Sequence, residues 1–188
     1  MASFFPILLI SGPPGAGKTE VARRLAEGAL APRVLHLNGD VFSHLIKKGR
    51  VKAPPLTPEA GEALAAQNAV LMAAMADMAA RFAAAHYEVI LDFEITPDDL
   101  AVFKTAGAAQ TLTLAYVVLR PNEQECARRA ARRKEEPILN YDLFKPAYEK
   151  YSVLGALEAH VLGDGLSSTD AANLIRRGLV DGKFLLPL

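Results

Sequence analysis

Gly12-Pro13-Pro14-Gly15-Ala16-Gly17-Lys18-Thr19 begins after only eleven residues of this chain and fits the pattern G-x-x-x-x-G-K-[ST] at every fixed position. The apolar run Phe4–Ile10 precedes it, and a helical pattern opens near Lys18. In that setting the spacing has a physical meaning. Glycines let successive backbone N–H groups turn inward as an anion nest, and the helix start adds its positive dipole end. Lys18 can then reach the β- and γ-phosphates of a nucleotide, and the Thr19 hydroxyl can ligate Mg2+. Gly12, Gly15, Ala16, Gly17, Lys18, Thr19 and Glu20 form the candidate phosphate-binding set. The alternative is a Gly/Pro turn that joins two elements; the strand before and the helix after weigh against it. The motif specifies a nucleotide phosphate and not its fate.

The chain of 188 residues is 51 % hydrophobic and 22 % charged, an ordinary globular composition long enough for one substantial core. Its 21 Lys and Arg equal its 21 Asp and Glu, so no global field favours nucleic acid or an anionic membrane. A single cysteine, Cys126, excludes an internal disulfide framework and suits a reducing cytoplasm. Met1–Ile10 lacks the basic segment and cleavage site of a signal peptide and reads as a strand. Residues 60–85 are Ala-rich but interrupted by Glu62, Gln67, Asn68, Asp77 and Arg81, short of an unbroken membrane span. The expectation is one cytoplasmic domain over residues 1–188, with no membrane or nucleic-acid partner. Oligomeric state is not written in the sequence.

Strand-like runs at Phe4–Ile10, Arg33–Leu37, Tyr87–Phe93, Thr111–Leu119 and His160–Leu162 alternate with helical stretches. The helices are expected over Lys18–Ala29, Pro58–Ala85, Pro97–Ala106, Glu123–Lys134, Leu143–Tyr151 and Thr169–Val180. Continuous apolar strands between helices predict an α/β three-layer sandwich with a mostly parallel sheet. Thr96 before Pro97 and Asn122 before Glu125 read as helix starts, and Gly107 as a helix end. Ligands in such folds bind beyond the carboxyl ends of the strands. The basic, proline-containing stretch Lys47–Thr57 is either a mobile rim over that edge or a plain solvated loop.

The residues after the strands carry the remaining chemistry. Asp40, after the second strand, is placed to accept a proton from an acceptor hydroxyl; otherwise it caps the helix near Val41. Val89-Ile90-Leu91-Asp92 is an apolar strand ending in an acid, and Asp92 is a candidate Mg2+ residue, acting through water. Glu94 is a second candidate for the base or for substrate binding. Arg128, Arg129, Arg132 and Arg133 form two i,i+4 pairs, able to stabilise charge on a transferred phosphoryl or simply to face solvent beside Glu125. Lys134–Pro137 would hinge a short lid over residues 132–142. Cys126 reads as a packing residue, the four histidines lack metal-ligand spacing, and Met72, Met75 and Met78 share a core-facing stripe.

Together these segments resemble the P-loop small-molecule kinases, above all the AAA-type ATP-binding kinases that include gluconate kinases, adenylylsulfate kinases and chloramphenicol phosphotransferases. The likeness runs through Ile7–Thr19, Leu35–Phe42, Val89–Glu94, Tyr116–Arg133 and His160–Phe184. It implies a five-stranded parallel sheet in the order 2-3-1-4-5, ATP as donor, and adenine held near Gly163–Ser168. It assigns the acceptor hydroxyl to Asp40 and the lid-arginine role to Arg129 and Arg133. The family's Asp-Gly-Asp is here Asn38-Gly39-Asp40, which bears on the acceptor's identity. The function implied is transfer of the ATP γ-phosphoryl to a hydroxyl of a metabolite or antibiotic. Nucleotide or nucleoside phosphorylation is the alternative within that chemistry, and a nucleotide-binding switch or toxin-like module the alternative outside it.

Overall fold

The computed structural model describes residues 5–187; Phe4, the expected start of the first strand, lies outside the described residues. Five parallel strands form the sheet: β1 (Ile7–Ser11), β2 (Val34–Asn38), β3 (Glu88–Asp92), β4 (Leu114–Leu119) and β5 (Val161–Leu162). Their order is β2-β3-β1-β4-β5, as the resemblance implies. A sixth strand, β6 (Leu185–Leu186), pairs antiparallel with the start of β4, while β5 pairs with its end. The two short strands thus share one edge of β4. Two apolar residues after a glycine turn give too little period-2 signal to announce β6.

The helices are α1 (Lys18–Glu27), α2 (Gly39–Ser43), α3 (Pro58–Ala84), α4 (Leu100–Ala108), α5 (Glu123–Ala131), α6 (Lys145–Glu149) and α7 (Ser168–Val180). Side-chain alternation divides the strands between two cores. Ile7 and Leu9 of β1, with Leu114, Tyr116 and Val118 of β4, meet Met72, Met75, Ala79 and Phe103 from α3 and α4. Leu8 and Ile10, with Ala115 and Val117, meet Val21, Leu25, Cys126 and Ile175 from α1, α5 and α7. Strands covered on both faces need apolar residues throughout, and all of β1 and β4 is buried.

Several helix ends depart from expectation. Gly107 does not end α4, which runs on to Ala108; Gly107 sits instead 3.4 Å from Leu114 by its would-be Cβ, allowing close packing on the sheet. The stretch after Thr96 opens as a 3-10 turn, Pro97–Asp99, with the Asp99 carboxylate accepting from both the Thr96 N–H and hydroxyl. α5 stops at Ala131, so Arg132 and Arg133 lie beyond it and the two arginine pairs do not continue along one helix. α3 is long and apolar enough by length and composition to cross a membrane, with 33 % of its most apolar window buried. Its second half supplies Leu71, Met72, Met75, Ala76, Ala79, Ala80 and Ala83 to the core, which accounts for that apolarity as packing.

Candidate active site

The carboxyl ends of β1, β2 and β3 bring together the phosphate loop, Asn38 and Asp92, while the arginines come from α5 and the turn beyond it, after β4. Gly17 is the N-cap of α1 in a left-handed conformation, φ 95°, so the helix begins at Lys18 with its free N–H groups at the loop. Gly12 (φ 137°) and Gly15 (φ 82°) also have positive φ, and a Cβ on either would lie 2.1 Å from a carbonyl oxygen, of Leu119 and Cys126 respectively. The loop is therefore clamped between the end of β4 and α5. Tyr141 reinforces the clamp by donating its hydroxyl to Pro14 O at 2.7 Å.

Lys18 folds over the loop and donates to Gly12 O (2.8 Å) and Pro13 O (3.1 Å). Burial holds its ammonium below the usual lysine range; Glu94 and Asp40 draw it back up, Arg133 pushes it down and Asp92 draws it up. Asp40 is exposed in the first turn of α2. It does not cap that helix: Asn38 does, accepting from the Val41 N–H at 2.7 Å. The Asp40 carboxylate makes no hydrogen bond or ion pair with any described residue, nor does that of Glu94. Glu94 lies past the end of β3 rather than on it, and burial raises its carboxyl above the ordinary range.

Asp92 is 2 % exposed and accepts three hydrogen bonds, from Thr19 Oγ1 (2.7 Å), Asn38 Nδ2 (2.9 Å) and His36 Nε2 (2.6 Å). Asn38 Nδ2 also lies 3.0 Å from Thr19 Oγ1. Neither His36 nor Asn38 stood out in the sequence as a partner of Asp92. The available signal was their i, i+2 spacing on β2 beside the end of β3, where Asn38 registers opposite Asp92. A hydroxyl and a carboxylate, both hard oxygen donors, thus meet where Lys18 begins the helix, which fits Mg2+. No three His, Cys, Asp or Glu side chains group as a metal site among the described residues. Mg2+ needs only one or two protein oxygens when phosphates and waters complete its shell.

Arg129 donates to Ala16 O at 3.3 Å and pairs with Glu125, so it is anchored at the phosphate loop. Arg128 pairs with Glu125 on the exposed side. Arg133 carries no ion pair among the described residues, and its charge acts on Lys18. The Glu20 carboxylate turns to Arg23 (2.8 Å) and Arg24 (2.9 Å), which leaves only its backbone N–H for a phosphate. In the expected lid, Glu136 (φ 47°) reaches across to Arg50 (3.1 Å), Lys52 (3.5 Å) and His44 (3.7 Å). Arg50 and Lys52 of the basic stretch after α2 are therefore tied to Glu136. A pocket of about 240 Å³ beside the loop is lined by Gly17, Val21, Arg129, Leu162, Gly163 and Ser167, among others.

Cys126 is fully buried, and burial pushes its thiol up to about 11. A thiol so far from ionisation at neutral pH is inert. Iodoacetamide at pH 7.5 is expected to leave native Cys126 unlabelled over hours and to label it once the chain is unfolded, as read by intact mass.

The model of a family described as an AAA domain matches residues 7–143. No curated protein matches the chain in sequence. Among solved structures, an APS kinase of Mycobacterium tuberculosis in complex with AMPPNP and APS superposes with a TM-score of 0.65 at 17 % identity, over 94 % of this chain and 98 % of that one. A gluconokinase from Sinorhizobium meliloti 1021 gives 0.64 at 16 % identity, over 96 % and 94 %. The Deinococcus radiodurans tunicamycin resistance protein gives 0.60 at 20 % identity, over 98 % and 99 %. At such identities the likeness is one of fold.

Proposed function

The chain belongs to the AAA domain family, and we propose that it is an ATP-dependent phosphotransferase that moves the γ-phosphoryl to a hydroxyl of a small molecule. One observation carries this: Asp40, a carboxylate with no hydrogen bond or ion pair among the described residues, stands in the first turn of α2 two residues after Asn38, whose amide bonds Thr19 and Asp92 at the phosphate loop. A group there can take the proton from an acceptor O–H as its oxygen attacks the γ-phosphorus. The new P–O bond forms, the bond to the bridging oxygen breaks, and ADP leaves. Lys18 exchanges its two carbonyl partners for phosphate oxygens. Arg129 and Arg133 stabilise charge on the transferred group. When bound, Mg2+ would offset charge on the phosphates, with Thr19 as a ligand and Asp92 acting through water. The pocket at Gly163 and Ser167 would take adenine. Support comes from a fold shared with an APS kinase and a gluconokinase. The balance of reactants, with ATP as donor and a buried reduced thiol, suits the cytoplasm.

Nucleotide phosphorylation would need free cations at the acceptor side. Of the cations in that stretch, Arg50 and Lys52 pair with Glu136 and Lys47 donates to the His44 carbonyl, which leaves only Lys48 without a partner among the described residues and favours a less anionic acceptor. The test is ATP consumption against sugars, nucleosides, nucleotides and aminoglycoside- or phenicol-type antibiotics, compared with water. Acceptor-dependent turnover supports the proposal; hydrolysis without any acceptor dependence, coupled to a partner protein, favours a switch. The nucleotide site has its own test. Mg·ATP at a hundred times its Kd stabilises a protein by about 2.7 kcal/mol, or roughly 5–10 °C in Tm at this size. Lys18→Ala is expected to abolish that shift, and a shift equal to wild type would remove the phosphate loop from the site.

A further inference from the structure

We propose that Glu94 recognises the acceptor, and that the acceptor carries a hydrogen-bond donor, hydroxyl or ammonium, beside its reacting hydroxyl and no anionic group. The inference rests on the phosphotransferase proposed above. Glu94 is held by an expensive scaffold. The Phe93 N–H donates to Ile10 O (3.2 Å) and the Ile95 N–H to Ser11 Oγ (2.9 Å). The Ser11 and Tyr116 hydroxyls both donate to Ile95 O, at 2.6 and 2.7 Å. With its only hydrogen so used, Ser11 Oγ accepts from the Tyr151 hydroxyl at 2.9 Å. Ser11, Tyr116 and Tyr151 are each 0 % exposed, so three buried hydroxyls are committed to one backbone turn. Buried polar groups left unpaired cost about 1–3 kcal/mol each, so such a cluster fixes the turn tightly.

What the turn fixes is a carboxylate with no hydrogen bond or ion pair among the described residues. Its oxygens reach open space, since no buried side-chain oxygen among the described residues is without a partner. Glu94 and Asp40 both act on Lys18. Asp92 is engaged on the metal side by Thr19 and Asn38, whereas Glu94 has no such partner among the described residues; once Lys18 is occupied by phosphates, Glu94 is the carboxylate left to face the other substrate. A carboxylate only accepts, so its partner must donate. The surrounding charge selects further. Arg50, Lys52 and His44 converge on Glu136, and neither Glu94 nor Asp40 has an ion pair among the described residues, so two uncompensated carboxylates meet the acceptor and disfavour an anionic one.

The test uses matched probes with the wild type, Glu94→Ala and Glu94→Gln: glucosamine, glucose and gluconate, then uridine and its 5′-monophosphate, beside the positive acceptors of the wider panel. The preferred acceptor is expected to be cationic or neutral, at least ten-fold better in kcat/KM than an anionic counterpart. Glu94→Ala should raise its KM by about 10–100-fold, the loss of a charge-assisted hydrogen bond, with kcat changed less. Glu94→Gln keeps an accepting oxygen without the charge, so it should restore a hydroxyl-bearing acceptor but not an ammonium-bearing one. A preference for the anionic counterpart, or an unmoved KM in Glu94→Ala, overturns the assignment and leaves the phosphotransferase standing. Absence of turnover with every acceptor, while Mg·ATP still raises Tm, overturns both.

Discussion

Asp40→Asn is expected to bind Mg·ATP as the wild type does and to turn over an acceptor about 10²–10⁴-fold more slowly, the usual cost of a missing positioned base. The variant isolates proton transfer because its other effects are small. Asn38 caps α2 through the Val41 N–H, so the helix start does not depend on the Asp40 side chain. Gly39 lies against Phe93, where a Cβ would sit 2.2 Å from its ring, and this close approach sets the direction in which residue 40 leaves the sheet. The carboxylate has no hydrogen bond or ion pair among the described residues to lose. Asparagine keeps the size and one accepting oxygen but cannot take a proton at neutral pH. Steady-state kinetics gives the fall in kcat, and the Mg·ATP-dependent Tm shift shows that nucleotide binding survives. Unchanged kcat would remove Asp40 from the reaction, and Glu94→Gln, assayed in parallel, would show whether the other unpaired carboxylate takes its place.

The parts of the site that were legible are those written in consecutive residues. The phosphate loop, the acid ending an apolar strand and the Asn122 cap each need only a few neighbours to have meaning, and parallel strands covered on both faces announce themselves by length and apolarity. The sheet order came from the resemblance, not from periodicity. What the sequence withheld depends on contacts made across the fold. His36 acquires its bond to Asp92 only because β2 lies beside β3 in a register that sets Asn38 opposite Asp92. Glu136 meets Arg50 across 86 positions of chain. The four arginines looked like two matched pairs, but α5 ends at Ala131 and only Arg129 stays on it at the loop. A helix end is set by which carbonyls find partners, and here the Ile138 N–H takes the Ala130 carbonyl as the chain turns away.

Gly15→Ala is expected to lose both the stability of the apo protein and its response to nucleotide, and a second glycine separates the two causes. Residue 15 has φ +82°, and a Cβ there would lie 2.1 Å from Cys126 O and 2.8 Å from its carbonyl carbon. The obstacle is backbone, so no side chain can rotate aside. Left-handed strain costs roughly 1–2 kcal/mol, and forcing extra volume into a packed contact about 1–3 kcal/mol more. Relief requires α5 to move off the loop, carrying Arg129 away from Ala16 O and straining the bond from Tyr141 to Pro14 O. Tm should therefore fall by roughly 5–15 °C for a domain of this size, and the Mg·ATP shift should vanish because the inward N–H groups are displaced. Gly49→Ala is the control. Its φ is +78°, nearly the same, but a Cβ there meets nothing within 4 Å. It should show the backbone strain alone, a smaller fall of a few degrees, and an intact nucleotide shift. If Gly15→Ala melts with Gly49→Ala and still responds fully to Mg·ATP, the close contact between loop and α5 has no part in shaping the phosphate site. If the two diverge as stated, that helix both supplies Arg129 and holds open the nest it acts on.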